Sequence, residues 1–150
     1  MKKQNGFTLI ELIIVISIAM IVLAISVGSY RDSIARVKLR SSADGLVADI
    51  KYAQQLAITN PNEAQFCRIR FPDNKSYVIE DSTGKVFKTV DFPRVVSISS
   101  GPSQIIFLIN GTPQINTDIQ ITLVENRHNK NRIITVKKIT GEVVQSSTTH

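Results

Sequence analysis

The chain has 150 residues, 43% of them hydrophobic and 20% charged, with a formal net charge of +6. That length fits one domain with an appendage, and the charge permits contact with anionic partners without requiring it. The single cysteine, Cys67, excludes an internal disulfide, and its setting in "FCRIRF" reads as a small buried apolar strand residue.

From Leu12 to Val27 no residue is charged, and Ser17 and Ser26 are the only polar side chains. Phe7 to Ser29 therefore predicts a helix of about 35 Å, enough to cross a hydrocarbon core. Lys2 and Lys3 could begin a secretory signal. The apolar run, however, exceeds the roughly 7 to 15 residues usual for one, and Ala24, Ser26 and Gly28 lie inside the pattern rather than at a cleavage site. The segment reads as a retained anchor. Basic residues leave its orientation open, because Lys2 and Lys3 precede it while Arg31, Arg36, Lys38 and Arg40 follow, against Asp32 alone.

Glu11 is the one full negative charge in the apolar region. A carboxylate in a lipid-facing segment is costly unless it is paired or reaches the interface. Snorkelling near the helix start and pairing with a partner are both open at this point.

A helical pattern continues past the run. Ile34, Val37, Ala43, Leu46, Val47, Ile50, Ala53 and Ala57 mark an apolar stripe, with Arg36, Lys38, Arg40, Asp44, Asp49 and Lys51 between them on a solvated or partly solvated face. "NPN" at 60–62 ends the helix, and Gly28 and Gly45 are weak points within it. Beyond Pro61 the pattern changes to short extended runs. These are "QFCRIRF", then "SYVIE" and "KVFKTV" around the hairpin signal "DSTG", then "RVVSIS", "QIIFLI", "IQITLV", "RIITVKKI" and a returning "GEVVQ".

The expected fold class is α+β: a long N-terminal helix, apolar in its first half and amphipathic in its second, packed on an antiparallel β-sheet head of about seven or eight strands. The expected organisation is 1–6 leader, 7–29 membrane or filament-core helix, 30–60 amphipathic helix half, 61–145 β head and 146–150 disordered tail.

The stretch "KKQNGFTLIELIIVISI" resembles the N-terminus of type IV prepilins and type II secretion pseudopilins: a basic leader, Gly, Phe, Thr-Leu-Ile-Glu, then a long apolar run. The resemblance implies cleavage after Gly6 by a prepilin peptidase and N-methylation of Phe7 by the same enzyme. It places the leader inside and the β head outside, in the bacterial cytoplasmic membrane first and then in a pilus or pseudopilus. It implies as partners other pilin or pseudopilin subunits, the membrane assembly platform and membrane lipid. Glu11 would pair with the α-ammonium of Phe7 on a neighbouring subunit, strongly favoured at low dielectric, and so set axial register. "YAQQLAITN", "IIFLINGTP" and "RIITVKKITGEV" are similar to the H-type pseudopilin and T-type minor pilin group (GspH/FimT-like). A major pilin is disfavoured by Gly28, where those commonly carry a helix-breaking proline, and by the single cysteine.

No catalytic, cofactor or metal motif emerges, and no small-molecule substrate. His128 sits in a polar loop and His150 at the terminus, neither at ligand spacing. Asp73, Asp81, Asp91 and Asp118 stand beside turn signals, where aspartate stabilises local backbone. A calcium site in the head stays open, without named ligands. Nucleic-acid binding is the second function class, because Arg127, Lys130, Arg132, Lys137 and Lys138 fall within twelve residues and could contact phosphates. Against it, Glu142 follows the glycine where DNA-binding relatives tend to carry arginine, and no aromatic residue interleaves for stacking. A single-pass or monotopic membrane protein unrelated to filaments is the third class, and it predicts an unprocessed N-terminus.

Overall fold

The structure, a computed structural model, describes residues 8–59 and 67–148, apart from the side chains of 24–29 and 148. Its elements in order are α1 (Leu9–Thr59), β1 (Cys67–Arg70), β2 (Ser76–Asp81), β3 (Val86–Asp91), β4 (Val96–Ser100), β5 (Gln104–Phe107), β6 (Ile119–Glu125), β7 (Lys130–Val136) and β8 (Val143–Thr148). The chain forms two compact units, Met1–Ile34 and Ala35–His150.

In the first unit the described side chains from Leu9 to Leu23 are exposed throughout, and no large apolar one among them is less than 45% exposed. An apolar surface of this extent is unfavourable in water. The Ser17 hydroxyl is satisfied inside the helix by the Ile13 carbonyl at 2.8 Å, which spares an apolar environment an open donor.

In the second unit the helix buries Ala35, Leu39, Ala43, Leu46, Ile50, Ala53 and Ala57. Their spacing of three and four keeps them on one face. The stripe differs from expectation at its start. Val37 is 66% exposed and Ile34 only partly buried, while Ala35 and Leu39 take their place. Val37 is two residues from each of these, hence on the opposite side of the helix.

The head is made of two antiparallel four-stranded sheets, ordered β3-β2-β1-β5 and β4-β6-β7-β8. Inward positions alternate as a half-buried strand requires: Cys67 and Ile69 on β1, Ile105 and Phe107 on β5, Ile119, Ile121 and Leu123 on β6, Ile134 and Val136 on β7. These residues join the helix stripe, Tyr77, Ile79, Phe92 and Val96 in one core. Cys67 is buried there as expected, and burial pushes its thiol pKa up to about 11.

The turns follow their residues. Asp81 accepts from the Thr83 amide, the Thr83 hydroxyl and the Lys85 amide, which closes the β2–β3 hairpin. Asp73 likewise accepts from the Lys75 amide and the Ser76 hydroxyl. β7 and β8 pair from Asn131↔Thr148 to Val136↔Val143, so the final hairpin forms as expected. It also overrides the expected disordered tail at 146–148, because ladder bonding to β7 holds a polar sequence that has no apolar pattern of its own.

Polar side chains also tie the helix to the sheets. Asp49, expected on the solvated face, is 7% exposed: Oδ2 accepts from the Tyr77 hydroxyl at 2.7 Å and Oδ1 from Lys88 Nζ at 2.7 Å. A carboxylate adjoining the stripe can be buried because both its oxygens are answered. Desolvation first, then the Asp49 carboxylate, raises the Tyr77 hydroxyl pKa well above the usual phenol range. Nearer the helix end, Gln54 Nε2 donates to the Gly111 carbonyl (3.2 Å) and the Gly141 carbonyl (2.7 Å), tying the β5–β6 loop and the β7–β8 turn to one side chain. Gly141 has φ +68°, and a Cβ there would lie 2.8 Å from the Gly111 oxygen. The turn therefore needs glycine for both conformation and space.

Candidate functional site

The first candidate site is the start of α1. Thr8 precedes the first helical residue; its amide donates to Glu11 Oε2 at 2.9 Å and its hydroxyl to the same oxygen at 3.0 Å. The Glu11 amide donates back to Thr8 Oγ1 at 3.3 Å. This reciprocal pair is a capping box, and a carboxylate in the first turn also faces the positive end of the helix dipole. Glu11 thus has partners within its own chain before any other subunit is considered. The spacing Thr8-x-x-Glu11 carried that signal; attention to the charge alone misses it. The expected cleavage and methylation positions, Gly6 and Phe7, lie outside the described residues.

Among the described residues no helix is long and apolar enough to cross a membrane. The described side chains of the apolar run end at Leu23, while the run itself continues to Val27.

The five basic residues considered for DNA do not form one patch. Lys130 begins β7 and Arg132 is the third residue of that strand, whereas Lys137 and Lys138 follow its last residue, Val136. Seven strand residues put roughly 20 Å between the two ends. The helix contacts agree with this separation. At one end the Gln145 amide bridges Asp44 and Arg132, its nitrogen 3.0 Å from Asp44 Oδ1 and its oxygen 2.9 Å from Arg132 Nη1. At the other end the Gly141 turn meets Gln54.

Lys137 and Lys138 are also engaged locally. Asp118 accepts from Lys137 Nζ at 3.0 Å and from the Lys138 amide at 3.0 Å. The Lys138 amide, then the Lys137 ammonium, hold the Asp118 carboxyl below the usual carboxylate range. Arg127 lies in the β6–β7 turn, where its amide donates to Glu125 Oε1 at 2.8 Å and the His128 amide donates to Oε2 at 2.9 Å. Glu125 is fully buried; desolvation raises its pKa, but these amides and the His128 side chain bring it below its ordinary value. His128 therefore belongs to a structural turn. Among the described residues no group of three His, Cys, Asp or Glu side chains is placed to hold a metal ion.

The N-terminal helix is thus capped and outwardly apolar, and the two-sheet head is built on the part of that helix beyond Ile34. Residues 1–27 match the prokaryotic N-terminal methylation motif family. Over 58 residues the chain is 47% identical to a fimbrial protein of Moraxella nonliquefaciens, covering 37% of this chain and 38% of that protein. Over 63 residues it is 43% identical to a fimbrial protein of Pseudomonas aeruginosa, covering 42% and 40%. The chain thus spans about two fifths of the length of the curated relatives it matches. The fold is similar to that of the type IV minor pilin FimU of Pseudomonas aeruginosa, with a TM-score of 0.60 at 18% identity over 74% of this chain and 90% of that one. A second crystal form of FimU gives 0.57, also at 18% identity, over 72% and 92%.

Proposed function

We propose that the chain is a minor pilin or pseudopilin, a structural subunit of a type IV pilus or type II secretion pseudopilus. In this reading a prepilin peptidase cleaves after Gly6 and methylates Phe7. Residues 7–29 hold the subunit in the bacterial inner membrane with the head outside, until the assembly platform moves it into a filament. The observation that carries the reading is an apolar helix stretch, Leu9 to Leu23, exposed on all sides, lying within the residues that match the methylation motif and ahead in sequence of a head with a FimU-like fold. Such a surface is covered by lipid before assembly and by neighbouring helices after it.

Glu11 enters that helix bundle with its capping box formed, so its cost on leaving water is already partly offset. Its remaining acceptor capacity is open to the α-ammonium of Phe7 on another subunit. A subunit displaced along the axis leaves that charge unpaired, which is how the residue sets register. Likeness to FimU, together with the helix end, the β5–β6 loop and the last hairpin, supports the minor-pilin and GspH/FimT-like branch. The DNA-uptake reading has less behind it, because its five basic residues are divided between two ends of β7. Mass spectrometry of the mature chain tests the proposal. We expect N-methylphenylalanine at Phe7; an intact Met1 in cells with an active prepilin peptidase overturns it.

A further inference from the structure

Each sheet of the head has two outer strands, and their edges fare differently. On β5 the Ile106 carbonyl accepts from the Gln114 amide at 2.8 Å, so the following loop covers that edge. On β4 the Ile98 amide donates to the Asn74 carbonyl at 2.9 Å, which ties that edge to the loop before β2. The outer edges of β3 and β8 have no such cover among the described residues.

Ladder alternation says which groups these two edges leave open. The Lys137 amide donates to the Glu142 carbonyl, so Val143, Gln145 and Ser147 turn their backbone groups outward on β8. The Phe92 amide donates to the Lys75 carbonyl, so Thr89 and Asp91 do the same on β3. An open row of this kind is a template for another strand. β8 carries no lysine, proline or bulge to blunt it.

The two edges run the same way. Gly141, just before β8, lies at Gln54 and Gln145 lies at Asp44, so β8 runs opposite to α1. β1 also starts near Gln54, because Cys67 pairs with Phe107, which bridges Pro113 in the loop of Gly111. It ends near Asp49, since Arg70 pairs with Val78, next to Tyr77. β2 reverses β1 and β3 reverses β2, so β3 runs with β8. Each has six residues. Immediately before them stand Lys85 and Glu142, exposed and opposite in charge. The Glu142 carboxylate has no partner among the described residues.

We propose that the β8 edge of one subunit pairs in parallel with the β3 edge of a second copy, Val143–Thr148 alongside Val86–Asp91. The inference rests on the filament-subunit reading above. Subunits related by rotation about one axis and translation along it keep one axial sense. Antiparallel pairing of β8 with its own copy reverses one subunit, whereas β8 on β3 keeps that sense. With the strand starts level, the second copy's Thr89 amide donates to the Gln145 carbonyl. The Ser147 amide then donates to the Thr89 carbonyl, and the Asp91 amide to the Ser147 carbonyl. Glu142 meets Lys85, and no like charges face each other, because β8 has none. The contact is heterologous, so it repeats from subunit to subunit instead of closing on a pair.

The test uses full-length chains in cells with an active prepilin peptidase. One carries Ser146→Cys and the other Thr89→Cys, both at exposed positions, while the native Cys67 is buried. They are expressed separately and together and treated with a bismaleimide of roughly 10 Å reach, which spans adjacent strands with one residue of slip. We expect covalent dimer in the mixture at least about fivefold above either chain alone. Glu142→Lys in the Ser146→Cys chain should cut that yield about threefold, and Lys85→Glu in the Thr89→Cys chain should restore it.

No added dimer in the mixture, from subunits with methylated Phe7, overturns the inference and leaves the filament reading standing. Subunits that keep Met1 overturn that reading and the inference with it. Equal dimer from Ser146→Cys alone means β8 meets its own copy, and Ser146→Cys linked only to another protein means a different occupant; either result overturns the pairing.

Discussion

Replacing Asp49 with alanine should unfasten the helix from the first sheet. The substitution leaves the Tyr77 hydroxyl, in a side chain 1% exposed, without its 2.7 Å acceptor in the core. An orphaned buried donor of that kind costs about 1 to 3 kcal/mol, with the upper part of the range apt for a charged acceptor. The Lys88 pair adds at most about 1 kcal/mol, because the lysine side chain is 47% exposed and solvent screens it. Alanine returns a few tenths of a kcal/mol, roughly 0.5, through better helix propensity. The expected net loss is about 2 to 3 kcal/mol, or about 10 °C in Tm for a head of this size.

Near-UV circular dichroism of the full chain in detergent, which reports the packed aromatic cluster of Phe71, Tyr77 and Phe92, is the assay, with far-UV circular dichroism for the variants that lack Tyr77. Asp49→Asn keeps an acceptor and should lose only about 1 kcal/mol. Tyr77→Phe combined with Asp49→Ala should cost about 1 kcal/mol less than the sum of the two single changes, since both remove one bond. An Asp49→Ala protein melting within about 2 °C of the parent, or strict additivity in the cycle, refutes the reasoning.

Three other outcomes follow from the same structure. Glu11→Ala should leave leader cleavage and membrane insertion intact but abolish recovery of the subunit in sheared filaments; normal recovery removes the register role. Gly141→Ala should cost about 2 to 4 kcal/mol, from a left-handed φ and a Cβ 2.8 Å from the Gly111 oxygen, and should also raise amide exchange in the β5–β6 loop. An unchanged melt would show that the turn relaxes freely. Acid should loosen the head. Glu80 is held below its ordinary 4.5, first by the Arg70 side chain and also by Arg68, and Asp81 and Asp118 are likewise lowered. A carboxylate depressed in the folded state contributes stability that is fully present above its unfolded pKa and lost as pH falls through the folded one. Denaturant midpoints should therefore be flat from neutral pH to about 5 and fall below about 4.5. A midpoint that rises below pH 4 contradicts this.

Much of this protein is legible in order along the chain, because the signals are local. The apolar helix that runs uncharged from Leu12 through the described positions to Leu23, the change from helical to strand spacing after Pro61, and the "DSTG" and Thr140-Gly141 turns each depend on neighbours a few residues away. Asp73 and Asp81 act on nearby amides as their positions imply, whereas Asp118 bonds the amide of Lys138, 20 residues away on the far side of β6 and β7. The capping box of Thr8 and Glu11 was equally local and was readable from its spacing.

The features that escaped depend on which surfaces meet. Asp49 reads as solvated because a charge beside a stripe usually is, and only the approach of Tyr77 and Lys88, 28 and 39 residues away, makes its burial favourable. The start of the stripe is set by which side of the helix the head covers, so Ala35 and Leu39 are buried and Val37 is not. Five basic residues close in sequence become two groups because an extended strand carries them roughly 20 Å apart, which no count of charges reveals. The polar residues 146–148 form a strand because β7 offers an open edge. The sequence by itself determined the helix and the strands through short-range periodicity. The tertiary structure alone decided which charges are buried, shared or separated, since those outcomes depend on contacts between residues far apart in the chain.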